Sequence, residues 1–384
     1  MLQCLGVSVI SFCAACHSPS FTSISETPAA AYEASLAPTT NGFMAAWYDT
    51  RDGHGEIYAR RLDTNGTPLA PERRLTTGTA DAYEADIAPN RDGFVVGWYE
   101  KAKNGQLTPK LGAFALDGSA RWVRTLSVRG RNTVVRAGAG LVFAAWIEDE
   151  GGDRAGVWAT WRRSDGVDLI PARRIADAGR TTWNLSATLA PDASPGNPHA
   201  WVVFDAKAGT RSNELFLVDT SETHDHVVQL TADDGADSTY PDIALGRDRA
   251  AIAWSDKKDG NDEIYLAIGD PAALSSGHLM PTRITSTTGH SIGAYLAWNG
   301  ERLGLAWCDD SPGNQELYFQ SFTGDGRAEA PPARLTTTTA SSSIPAIKAS
   351  GAGFALLWNE HDPVTGDGHG SGSLRSQVVF RAIR

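Results

Sequence analysis

Four sets of residues in this chain have types and spacings that can carry chemistry. The first is Cys13-Ala-Ala-Cys16-His17, the C-x-x-C-H spacing by which a c-type haem is attached. The same letters close an apolar run over residues 5–15, and Ala14-Ala15-Cys16 then reads as a lipoprotein signal with the lipid on Cys16. Haem attachment follows export, and too few residues precede Cys13 for a separate signal peptide with its own cleavage site. Haem c at Cys13, Cys16 and His17 is therefore not expected, and no other cofactor is. Of the remaining cysteines, Cys4 falls inside the signal segment. Cys308 sits in an apolar run beside Trp307, as a small core residue would.

The second set leads into seven equivalent apolar segments: Glu33, Glu84, Asn132, Ser186, Tyr240, Gly293 and Ile344, with Arg131, Asp242 and His290 close by. These positions vary in type, as an asymmetric site does. Glu33 and Glu84 can serve as the paired carboxylates of glycoside hydrolysis. Tyr240, His290 and Arg131 can instead abstract a proton beside a uronate carboxyl group. A third set is acidic in nearly every unit: Asp49, Glu100, Glu148, Asp256, Asp309 and Glu360, each two places after an aromatic residue. Such regular repetition favours carboxylates that cap turns over carboxylates that bind a ligand. The fourth set gathers His54, His361 and His369 with Asp49 and Glu360 in the first and last units, where a divalent cation would find mixed ligands.

The elements that must position these residues are repeats. AYEASLAPTTNGFMAAWYD from Ala31 returns as AYEADIAPNRDGFVVGWYE from Ala82, and again as YPDIALGRDRAAIAWSD from Tyr240. Anchored on Trp47, Trp98, Trp146, Phe204, Trp254, Trp307 and Trp358, the chain divides into seven units of roughly 50 residues. Each reads as four short strands, in the first unit over 34–38, 43–48, 56–62 and 73–76. Asn41-Gly42, Asp52-Gly53 and Asn65-Gly66 supply its turns. Four strands at this period predict an all-β, seven-bladed β-propeller of antiparallel blades. The last unit ends after its third strand, and residues 21–25 align with the fourth strand of the first unit. The N-terminal strand is thus expected to complete the last blade and remove an open edge. Residues 1–16 form the signal segment, 17–20 a linker and 21–384 the single propeller.

WYDTRDGHGEIYARRLD, followed by RRLT, resembles the TolB-type propeller repeat of exported bacterial proteins. The stretches around Trp254–Tyr265 with Arg283-Ile284-Thr285, and Trp307–Tyr318 with Arg334-Leu335-Thr336, match it similarly. The resemblance implies the blade and an exported location, not an activity.

A formal charge of −11 with scattered Lys and Arg leaves no basic stripe for phosphates, which argues against nucleic-acid binding. No phosphate loop and no Gly-x-Ser-x-Gly elbow occurs. The expectation is an exported, lipid-anchored monomer at the outer membrane, in the periplasm or on the cell surface. It would act as a binding or scaffold module for an envelope protein or cell-surface glycan at its central mouth. The alternative is a carbohydrate-active enzyme, hydrolase or lyase, at the same mouth.

Overall fold

The computed structural model describes residues 21–384 apart from 27–29, 92, 153, 222–225 and 363–374; for 180–183 it describes the backbone alone. Seven blades stand around a central channel. Blade 1 runs through Ala31–Thr39, Gly42–Asp49, Glu56–Leu62 and Arg73–Arg74, and blade 2 through Asp81–Asn90, Gly93–Lys101, Leu107–Ala115 and Ala120–Thr125. In blades 3 and 4 a single 22-residue strand, Asp168–Leu189, is the outer strand of one and then the inner strand of the next, so these two blades share one seven-stranded sheet. Blades 5 and 6 begin at Ser238–Leu245 and Ser291–Asn299. In blade 7 the strands Ser341–Ser350, Gly353–His361 and Ser376–Ile383 are joined by Thr22–Ser23, whose partners are Phe380 and Val379. The N-terminal strand closes the ring.

Each second strand is apolar on both faces because it is packed between neighbouring blades. In blade 1, Trp47 is fully buried against Leu357, Val378 and Phe380 of blade 7, while Ala46 faces the Trp98 layer of blade 2. A large side chain on one face and a small one on the other, repeated around the ring, fills the wedge between blades.

The Glu-Ile-Tyr and Arg-Leu-Thr letters of the repeat form a clasp between third and outer strands. Glu263 is fully buried and accepts from Thr285 Oγ1, from Arg283 NH2 at 3.0 Å and from the Thr287 amide at 2.9 Å. Thr285 Oγ1 in turn accepts the Ile264 amide at 2.8 Å. Glu56 with Thr76 and Arg74 repeats the arrangement, and blade 6 keeps part of it: Arg334 donates to Glu316 Oε1 at 2.9 Å and Thr336 Oγ1 accepts the Leu317 amide at 2.9 Å. In blade 7 Ser25 Oγ stands in for the threonine, accepting the Val378 amide at 3.1 Å.

Candidate functional site

The inner strand of six blades carries a bulge opposite the anchoring tryptophan, and the bulged residue lies in the left-handed region. These residues are Glu33 (φ 48), Glu84 (φ 54), Asn132 (φ 52), Tyr240 (φ 54), Gly293 (φ 68) and Ile344 (φ 51). Only glycine adopts this conformation without cost; each other residue pays about 1–2 kcal/mol. Blade 6 uses glycine, whereas five blades keep a side chain there. Those side chains crown the upper mouth of the channel.

Blade 4 departs from the aligned set. Its register shifts between Thr181 and Leu185, and Ser186 pairs with Val203, which is the position of Ser35 in blade 1. Ser186 is therefore one layer below the mouth. Asp242 shares that layer, where it accepts from Ser186 Oγ at 2.6 Å and from the Leu296 amide at 2.8 Å. Both brace the channel wall and are not mouth residues as the alignment expected.

Glu33 and Glu84 occupy adjacent blades and are half-buried. Loss of water pushes the Glu33 carboxyl up to about 7. Glu84 is also held well above the carboxylate range, first by burial and then by the Glu33 charge, against the opposing pull of Arg131 and Tyr99. The two carboxyls are coupled and titrate as a pair, each raised above the ordinary carboxylate range. Tyr99 Oη donates to Glu84 Oε1 over 3.4 Å. Arg131 is buried and reaches Asp149 at 3.5 Å from its other side.

Four tyrosines bracket the pair. Tyr32 stacks on its cross-strand partner Tyr48 with centroids 5.2 Å apart, Tyr48 meets Tyr83 edge-on at 5.1 Å, and Tyr83 lies 5.7 Å from Tyr99. The signal for them is the duplicated Ala-Tyr-Glu-Ala and Trp-Tyr of the first two units, found in no other unit and used above only to set the repeat. Across the mouth, Asp205 is fully buried and holds the Tyr240 amide and Asn184 Nδ2, both at 2.9 Å. Burial pushes its carboxyl up to about 7. Its position, one place before the expected acid, is where blade 5 has Ser255, whose hydroxyl caps the Gly293 amide at 3.3 Å. Cys308 does the same for the Ile344 amide in blade 7, and burial raises its thiol to about 12. The side chain after each anchoring aromatic thus caps the next blade's bulge in three successive blades.

Tyr240 projects into solvent at the mouth, and His290 is exposed and bound to Asp262 at 2.7 Å. Asp262 also adds to the rise of the Tyr240 phenol, after burial and Asp205.

The acids two places after each aromatic are structural. Their carboxylates accept the indole N–H of the same strand in five blades, from 2.7 Å at Glu360 to 3.4 Å at Asp49 and Glu100. Asp49 also accepts the Arg51 amide at 2.9 Å, and Asp309 the Ser311 amide at 2.9 Å. The expected cation ligands are dispersed among such partners. Asp49 is fully buried and paired with Arg51; His54 binds Glu56 at 2.8 Å; Glu360 takes Ser342 Oγ at 2.6 Å; His361 contacts Ser343 Oγ at 2.9 Å. His369, like Cys4, Cys13, Cys16 and His17, lies outside the described residues. Among the described residues no group of three or more His, Cys, Asp or Glu side chains is placed to hold a metal ion.

No family model matches the chain, and no curated protein does. Solved structures do. The endosialidase of phage phi92 superposes with a TM-score of 0.55 at 9% identity, covering 96% of this chain and 69% of that one. A prolyl endopeptidase superposes with a TM-score of 0.50 at 10% identity, covering 83% of this chain and 44% of that one. At such identities the likeness establishes the β-propeller and nothing narrower.

Proposed function

We propose that this chain is a carbohydrate-active hydrolase that cleaves a glycosidic bond at the upper mouth of its channel, with Glu33 and Glu84 as the catalytic pair. The observation that carries this reading is that two coupled carboxyls, both raised by their surroundings, project from strained positions that glycine would occupy freely. A coupled pair that holds one proton over a range of pH supplies an acid and a base together. Glu84, protonated, donates to the glycosidic oxygen; Glu33, ionised, acts on the anomeric carbon directly or through a water. The tyrosine group and Tyr240 offer flat faces for sugar rings. Among the described residues Arg131 is the one cation whose charge acts on Glu84, which favours a neutral glycan over a uronate. A phage endosialidase and a prolyl endopeptidase share the fold, so the choice between classes rests on the carboxylate pair, not on the likeness.

The test is the propeller incubated with a panel of neutral polysaccharides, following bound material and released reducing ends together. Loss of about 10²–10⁴-fold in turnover in Glu84→Gln and in Glu33→Gln, with substrate still bound, supports the hydrolase. Retention of glycan without cleavage by the unaltered protein would instead make it the binding module that composition and repeat alone suggest. The rate should rise as pH climbs through about 7, where Glu33 ionises, and fall again as Glu84 loses its proton.

Export with a lipid on Cys16, and with it an outer-membrane, periplasmic or surface location, is proposed from the N-terminal segment. Cys16→Ser should move the protein from the membrane to the soluble fraction; unchanged membrane association would remove the anchor.

A further inference from the structure

The other end of the channel has the opposite chemistry. Four places beyond each bulge the inner strands form a lower layer, in which most blades carry Ala or Thr. Blades 3 and 7 carry Arg136 and Lys348, at equivalent register opposite Phe143 and Ala355. Both line a cavity of about 230 Å³ at the lower mouth, together with apolar groups such as Ile87 and Leu189. Arg136 is committed to the wall: it binds Asp86 at 2.8 Å, the Ala187 carbonyl at 2.5 Å and Ser186 Oγ at 3.4 Å. Lys348 has no such commitment. Its ammonium makes no ion pair and no hydrogen bond among the described residues. The two acids whose charge reaches it are already held, Asp86 by Arg136 and Asp242 by Ser186 and Leu296.

A half-buried ammonium lining a cavity, beside a second cation and without a partner among the described residues, is unfavourable by itself. Burial and the Arg136 charge both depress its proton affinity. A bound anion relieves both effects, and the cavity has room for one.

We propose that the lower mouth is an oxyanion site, in which Lys348, flanked by Arg136, holds a sulfate- or phosphate-sized group. The anion can be free or borne on a small sugar, and the site is separate from the upper carboxylate pair. Calorimetric titration of the full chain with inorganic sulfate, inorganic phosphate and glucose 6-sulfate, at ionic strength matched with chloride, tests it. Saturable binding is expected, weakened at least about tenfold in Lys348→Met, kept in Lys348→Arg and unchanged in Glu84→Gln. Binding of the inorganic ions alone identifies a free anion; tighter binding of glucose 6-sulfate identifies a sugar-borne one. Thr188→Glu places a carboxylate in the same layer and should abolish anion binding while the protein stays folded, so the test does not depend on the methionine variant folding. Absence of saturable binding by the unaltered protein, or equal binding by Lys348→Met or Thr188→Glu, overturns the proposal.

Discussion

Glu33 carries two costs at once, a left-handed backbone and a carboxyl deprived of water. The second has a definite dependence on pH. Its folded-state value of about 7 lies above the ordinary 4.5, so the folded protein holds this proton more tightly than the unfolded chain. The stabilisation is complete below pH 4.5 and is lost as pH rises through about 7, amounting to at most about 3 kcal/mol. Glu33→Gln removes the titration. Urea midpoints measured at pH 5 and pH 8 should show the variant gaining on the unaltered protein at the higher pH; an equal difference at both would mean that Glu33 is not desolvated. That Glu33 and Glu84 occupy equivalent bulges in adjacent blades is legible in the sequence, because the repeat aligns them. Asp205 is not, because its burial and its grip on the Tyr240 amide belong to the neighbouring blade, roughly 35 residues on, and no local pattern reports such a contact.

At the scale of the element, the clasp explains why the repeat keeps Glu, Arg and Thr at fixed spacing. Thr285→Val leaves the Ile264 amide and one Glu263 oxygen without their partner inside the protein, and should cost about 1–3 kcal/mol in a urea melt. An effect below about 0.5 kcal/mol would show that water replaces the hydroxyl at no penalty. Blade spacing is equally specific. A methyl group on Gly97 would stand 2.7 Å from Val135 Cγ1 and 2.9 Å from the Thr133 carbonyl of the next blade, where other blades accommodate alanine. Gly97→Ala should therefore destabilise by about 1–3 kcal/mol. Strand number, order and turn positions follow from apolar runs and turn residues, which act locally. The dispersal of Asp49, His54, Glu360 and His361 among separate partners does not, since the type of a ligand is written in sequence but its orientation is set by packing.

The whole molecule depends on one short join. Thr22–Ser23 supplies two residues of pairing to Phe380 and Val379, Ile24 is fully buried in the layer shared by blades 7 and 1, and Ser25 caps the Val378 amide. Removing the chain through residue 26 forfeits the burial of one isoleucine, about 1.5–3 kcal/mol, and leaves a buried amide unpaired, about 1–3 kcal/mol. That loss is a large share of the 5–15 kcal/mol typical of folded domains. It also uncovers the Ser376–Ile383 strand as a free edge. The truncated protein should melt markedly lower and aggregate with rising concentration, whereas removal through residue 20 should change neither. The decisive comparison moves residues 21–26 behind Arg384 through a short turn, so that blade 7 draws its outer strand from its own end of the chain. If closure works through pairing and burial, this rearrangement restores the melting temperature although no covalent link then crosses the ring. If it works through the tether itself, the rearranged protein should melt like the truncated one.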